Sequence, residues 1–205
     1  DKYAFCNCQN LKTVDLSKSK ELKIIEKSAF SGSSIEKIVF PPHLNTIGEY
    51  AFYQCKNLRT VENSLNSQLT TIEESVFNRT SIEYFAVSPH ITTISEKAFE
   101  DCTKLLKIEI PENSKLEKID ELAFYNTSIT CISIPTHVKQ IQKRSFIKCN
   151  QLKIICFEDY SEINYISGYA FDDKQQLILM IPTTLKFRNY VIKSLERNYT
   201  PRLKL

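Results

Sequence analysis

The sequence predicts a solenoid: one elongated domain of stacked coils, each adding a short strand to a parallel sheet. Three observations carry the prediction. Phenylalanine recurs at Phe5, Phe30, Phe52, Phe77, Phe99, Phe124, Phe146 and Phe171, at intervals of 25, 22, 25, 22, 25, 22 and 25 residues. Apolar residues keep the same offsets from each Phe, so that long and short coils alternate in a double repeat of 47 residues. A unit in the twenties cannot bury its own apolar face and must stack on copies of itself. Finally, the repeat is unbroken, which argues against an internal linker, and only 3 glycines with no Gly/Ser-rich or charge-block stretch leave little room for disorder.

Each coil opens on a strand. The long coils Leu11–Phe30, Leu58–Phe77, Leu105–Phe124 and Leu152–Phe171 begin with apolar residues at relative positions 1, 4 and 6, as in Leu11, Val14 and Leu16. Positions 4 and 6 have the period of a strand with one buried face. The short coils do the same with Ile35/Ile38/Phe40, Ile82/Phe85/Val87 and Ile129/Ile132/Ile134. A tight corner follows, then a second apolar pair such as Leu22/Ile25 or Leu116/Ile119 on an extended or helical arm, then a turn through the Phe. Stacked about 4.8 Å apart, eight coils extend on the order of 40 Å. The expected domain is residues 1–185, wound as a right-handed coil with the sheet on one face and the arms on the other. Residues 186–205 depart from the pattern: a short amphipathic helix over Asn189–Leu195, ended by Pro201, is expected to cap the last coil. At the other end Asp1-Lys2-Tyr3-Ala4-Phe5 already lies inside a repeat, so the chain reads as a segment of a longer polypeptide.

Composition excludes several classes. The 27 basic and 24 acidic residues are spread evenly, without the basic stripe of a nucleic-acid-binding protein. The longest apolar run is Leu177–Ile181, against the roughly 20 residues a membrane helix needs. No phosphate loop or nucleophile elbow occurs. His43, His90 and His137 are 47 residues apart and follow Pro-containing corners. Equivalent positions two coils apart lie roughly 10 Å from one another. They cannot share a zinc ion, which holds nitrogens at about 2 Å, and read as turn residues. Cys8, Cys55, Cys102 and Cys149 form a similar ladder three residues after Phe, with Ser33, Thr80 and Thr127 in that slot of the other coils. Disulfides need Cα atoms about 4.4–6.8 Å apart, so this ladder reads as small side chains packed under the turn. Cys131 and Cys156 lie on adjacent strands, where their offset disfavours a bridge. No catalytic residue, metal or cofactor is expected. Asn78, Asn126 and Asn198 open glycosylation triplets; the first two fall in turns after Phe and are expected to be exposed.

The run Ile47-Gly48-Glu49-Tyr50-Ala51-Phe52-Tyr53-Gln54-Cys55-Lys56-Asn57-Leu58 resembles the BspA-like class of leucine-rich repeats. Units of that class read L-x-x-I-x-I-P, then V-x-x-I-G-x-x-A-F, then x-x-C-x-x-L. The likeness covers residues 3 to 185 and departs from the class in its glycine content. The Ile-Gly step survives at Ile47-Gly48 but is replaced at Ile72-Glu73, Ile94-Ser95 and Ile119-Asp120, so that step should not need a positive φ. The resemblance implies a leucine-rich-repeat solenoid without catalytic residues. It further implies cell-surface or secreted adhesion to a protein or glycan ligand on another cell or matrix. A cytoplasmic scaffold using the same face is the alternative.

A partner would meet the outward strand residues. Stacked in order, one column reads Lys12, Glu36, Arg59, Glu83, Leu106, Thr130, Lys153, and the next Thr13, Lys37, Thr60, Tyr84, Lys107, Cys131, Ile154. A third reads Asp15, Val39, Glu62, Ala86, Glu109, Ser133, Cys156. Alternating charges in the first column suit cross-strand pairing. The candidate contact residues are Lys37, Arg59, Thr60, Glu62, Glu83, Tyr84, Lys107 and Glu109, because Arg and Tyr are typical interface anchors. Leu106, Ile154 and Cys156 make the C-terminal part of the face more apolar and a second candidate contact zone.

Overall fold

The computed structural model describes residues 1–63, 67–172, 177–184 and 193, and residues 202–204 as a strand. Strands are numbered in chain order. The outward face is built from β1 (Thr13–Asp15), β3 (Lys37–Val39), β5 (Thr60–Glu62), β7 (Tyr84–Ala86), β9 (Lys107–Glu109), β11 (Cys131–Ile134), β13 (Ile154–Phe157) and β15 (Ile178–Met180). The arms carry β2 (Ile24–Ile25), β4 (Thr46–Ile47), β6 (Thr71–Ile72), β8 (Thr93–Ile94), β10 (Lys118–Ile119), β12 (Gln140–Ile141) and β14 (Tyr165–Ile166). Of the two conformations open to the arm, the chain takes the extended one, and every strand pairing is parallel. The expected helix over 189–195 and most of the cap lie outside the described residues. At the C-terminal end, β16 (Arg202–Lys204) pairs with β15 and continues the sheet.

The register follows the repeat. Thr13 pairs with Lys37 and Lys37 with Thr60; Tyr84 pairs with Lys107, and Cys131 with Ile154. Alternation then turns an apolar residue of each outward strand inward: Ile38, Phe85, Ile108, Ile132 and Ile155 are buried, and Val14 and Val61 pack against the core partly buried. These meet the arm residues Ile47, Ile72, Ile94, Ile119 and Ile141 in one continuous core.

Phenylalanine forms the spine of that core. The eight recurring rings stack in sequence from Phe5 to Phe171, with centroids 5.1 to 5.5 Å apart and planes within 20° of parallel. Such separations are those of offset stacks, which add to the hydrophobic gain of burial. Phe5 is 47% exposed and stacks on Phe30 alone, whereas Phe99, between Phe77 and Phe124, is fully buried.

The turn around each Phe has a conformation that glycine content did not reveal. Residues two before and two after the Phe sit at positive φ: Tyr50 and Gln54 around Phe52, Ser75 and Arg79 around Phe77, Leu122 and Asn126 around Phe124. Gly48 is not among them, as expected for the Ile-Gly step. Its lack of a side chain serves a close approach instead, since a Cβ there would lie 2.6 Å from the Lys27 backbone nitrogen. Alternating left- and right-handed residues turn every second N–H toward the next coil. Tyr50, Phe52 and Gln54 donate to the carbonyls of Glu74, Val76 and Asn78 at 2.9 to 3.0 Å. The intervening Ala51, Tyr53 and Cys55 close turns within their own coil. A left-handed residue other than glycine costs about 1–2 kcal/mol. The inter-coil hydrogen bonds hold these residues there.

Candidate binding face

The middle of the outward sheet brings three of the candidate residues into one cluster. Tyr84 and Lys107 are paired in register on β7 and β9, and Glu109 lies two residues beyond Lys107 on the same face. The Tyr84 hydroxyl donates to Glu109 Oε2 at 2.9 Å, and Lys107 Nζ donates to the same oxygen at 3.0 Å. Lys107 Nζ also lies 5.7 Å from the Tyr84 ring centroid, within cation–π range. Hydrogen bonds from Lys107 and Tyr84 hold the Glu109 carboxyl below its ordinary pKa. Partial burial, then the bond to Glu109, pushes the Tyr84 phenol up, and the Glu109 carboxylate raises the Lys107 ammonium. All three therefore keep their neutral-pH forms. Tyr84 remains 45% exposed, its ring held by its neighbours and open to a ligand.

The other candidates lie on the N-terminal side of this cluster, on and beside β3 and β5 and just before β7. Lys37 and Glu62 form an ion pair across β3 and β5, and Lys12 pairs with Glu36 at 3.1 Å. Lys12–Glu36 is the cross-strand pairing that the alternation in the first column suggested. The alternation does not extend to an Arg59–Glu83 pair among the described residues; the Glu83 N–H instead reaches the Arg59 carbonyl at 3.5 Å. Arg59, Thr60 and Glu83 are exposed. Toward the C-terminal end Leu106 is 54% exposed and Cys131 is exposed.

One expectation is corrected. Asn78 is buried, and its Nδ2 donates to Glu100 Oε2 at 2.7 Å, so it does not stand out into solvent. Asn126 is half-buried and donates to Asp101 Oδ1 at 2.8 Å. The cause is the inter-coil ladder, which folds the turn after Phe against the next coil. Asn198 lies outside the described residues.

The buried polar ladder under the turns is structural. The thiols of Cys55, Cys102 and Cys149 donate to the carbonyls of Phe30, Phe77 and Phe124 at 2.9 to 3.0 Å, and contact Ser33, Thr80 and Thr127. Burial pushes their pKa values up to about 11, 12 and 11, which removes the thiolate a nucleophile needs. His43 and His137 are exposed, and His137 Nδ1 lies 3.3 Å from Glu162 Oε1. Among the described residues no group of three or more His, Cys, Asp or Glu side chains could hold a metal ion. No helix among them is long and apolar enough to cross a membrane.

Sequence reasoning missed a second surface, the turn edge. There Tyr50 and Tyr53 meet edge to face at 5.8 Å, and Arg79 pairs with Asp101 at 3.2 Å. Stacking the residues on either side of each Phe, as was done for the strands, would have revealed it.

Two faces of parallel strands, joined by a phenylalanine turn, define a repeat solenoid of the leucine-rich type. The model of the BspA type leucine rich repeat region matches in six copies, over residues 1–105 and 70–196, and the chain belongs to that family. Two solved structures show the same fold. One is a leucine-rich repeat protein from Bacteroides ovatus ATCC 8483, with 17% identity and a TM-score of 0.58 over 87% of this chain and 59% of that one. Another is a leucine rich cell surface protein from Faecalibacterium prausnitzii A2-165, with 21% identity and a TM-score of 0.51 over 98% of this chain and 61% of that one. The chain therefore spans less than two thirds of either protein. No curated protein matches it in sequence.

Proposed function

We propose that this chain is a non-enzymatic binding module that engages a protein ligand at the cell surface through its outward sheet. The observation that carries the reading is the Tyr84–Lys107–Glu109 cluster, an exposed aromatic held by two charges in the middle of the face. A ring already fixed loses little freedom on binding, and Tyr and Arg are frequent anchors of interfaces. Arg59, Thr60, Glu62, Glu83 and Lys37 extend the polar surface from it toward the N-terminal coils. The description of the Faecalibacterium protein as a cell surface protein supports the location.

Two measurements test the reading. Surface biotinylation of intact source cells should label the protein while a cytosolic control stays unlabelled. Labelling only after lysis would replace adhesion by the intracellular scaffold. The purified chain is then assayed on immobilised matrix proteins and on fixed cells. Tyr84→Ala combined with Arg59→Ala should weaken binding at least about tenfold without lowering the melting temperature. Unchanged affinity would move the contact off this face.

A further inference from the structure

The turn edge carries a cleft of its own toward the C-terminal end. Glu100, Leu122, Tyr125, Arg144, Ile147 and Tyr169 line a space of ≈ 400 Å³, within the range of small-molecule sites. The positions two before and one after each Phe build it, over the coils of Phe99, Phe124, Phe146 and Phe171. In the coils of Phe30, Phe77 and Phe99 those two slots hold Ser28 and Ser31, Ser75 and Asn78, and Lys97 and Glu100. In the coils of Phe124 and Phe146 they hold Leu122 and Tyr125, and Arg144 and Ile147, so a polar edge acquires a half-buried apolar lining. The Arg144 N–H donates to the Tyr169 carbonyl at 2.7 Å, which sets the two residues side by side on neighbouring coils. Lys148 Nζ, 5.1 Å from the Tyr125 ring centroid, steadies that ring.

Arg144 is the odd cation of this edge. Lys27, Arg79, Lys97 and Lys143 pair with the carboxylates of Glu49, Asp101, Glu96 and Glu121 at 2.6 to 3.2 Å. Arg144 is exposed and has no ion pair among the described residues. Tyr169 is 73% exposed, and its hydroxyl has no hydrogen bond among them. We propose that the cleft binds an N-acetylated sugar acid of the sialic-acid type, as the terminal residue of a glycan. Its carboxylate takes the two parallel hydrogen bonds that the Arg144 guanidinium offers. One C–H face of its pyranose lies against the Tyr169 ring, whose π-face is negative. Its acetamido methyl meets Leu122 and Ile147. Asn78 Nδ2 holds Glu100 Oε2 at 2.7 Å, leaving Oε1 to accept from a sugar hydroxyl. A uronic acid lacks the methyl and a neutral N-acetylhexosamine lacks the carboxylate, so each meets only part of the site. The cleft lies on the turn edge rather than the outward sheet and does not rest on the protein-binding reading.

The test titrates the full chain with sialyllactose by isothermal calorimetry, with lactose, glucuronic acid and N-acetylglucosamine as comparisons. Sialyllactose should bind, and lactose about tenfold or more weaker, since it leaves the guanidinium without a carboxylate. Glucuronic acid and N-acetylglucosamine should also bind more weakly than sialyllactose. Arg144→Asn should weaken sialyllactose about tenfold or more. It should do so without lowering the melting temperature, because Asn suits the left-handed φ of 58 at this position, so lost affinity is not lost fold. Arg144→Lys keeps the charge but not the planar fork and should recover only part of the affinity. Tyr169→Ala should weaken binding about fivefold or more. Tyr84→Ala with Arg59→Ala should leave sugar binding unchanged, which separates this site from the proposed protein contact. Equal affinity for lactose and sialyllactose, undiminished binding by Arg144→Asn, or tighter binding of a tetraglutamate peptide than of sialyllactose would overturn the proposal.

Discussion

The phenylalanine column makes position along the solenoid an energetic variable, and Phe99→Leu measures it. Phe99 is fully buried and touches three rings: Phe77 at 5.4 Å, Phe124 at 5.5 Å and Phe85 at 5.1 Å. Leucine keeps the burial but loses all three ring contacts, each worth about 0.5–1.5 kcal/mol. The expected cost is therefore about 2–4 kcal/mol. Phe5→Leu removes one contact, to Phe30 at 5.1 Å, from a ring already 47% exposed, and should cost about 1 kcal/mol or less. The chain has no tryptophan, so urea unfolding is followed by far-UV circular dichroism, and a common m-value permits comparison of midpoints. Equal losses in the two variants would refute the claim that stacking between neighbours stabilises the column.

Three further outcomes are expected. Arg144→Asn places a residue that tolerates the left-handed region at a solvent-exposed position with φ 58, and should raise stability by about 0.5–1 kcal/mol, read as a melting-temperature rise of about 1–4 °C. Gly48→Ala pushes a methyl into the Lys27 backbone and should destabilise by about 1–3 kcal/mol in the same urea assay. The third concerns the buried thiols, whose folded pKa values near 11 and 12 lie above the ordinary 9. Above pH 9 the unfolded chain loses protons that the folded chain keeps, so stability should fall as pH climbs from 9 toward 11. Replacing Cys55, Cys102 and Cys149 by serine should flatten that decline, and an unchanged slope would assign it to other groups.

The stacking order was legible because a fixed period determines which residues become neighbours. Counting from Phe to Phe was enough to place Tyr84 beside Lys107 and Cys131 beside Ile154. Contacts among the outward side chains were less legible, because several charges lie within reach of one another and rotamers decide among them. Tyr84 therefore meets Glu109, while no ion pair joins Arg59 to Glu83 among the described residues. The turn conformation was hidden for another reason. Positive φ is usually signalled by glycine. Here Tyr50, Lys97, Leu122 and Arg144 occupy it, held by the hydrogen bonds their N–H groups donate to carbonyls of the next coil, which no single coil can display. The same bonds buried Asn78, which its position after Phe had suggested would be open to solvent.

The forward-pointing amides of the turn have an electrostatic consequence. From Tyr3, Phe5 and Asn7 onward, the turn peptides direct their N–H groups toward the following coil and their carbonyls toward the preceding one. In an ordinary strand pair such dipoles alternate and cancel. Along this edge they add, as they do in a helix. The phenylalanine edge is thereby polarised along its length, with the positive end of each turn dipole pointing toward the following coil and the negative end toward the preceding one. A charge placed beside this edge therefore meets a field that runs along the solenoid axis, set by the backbone independently of the side chains.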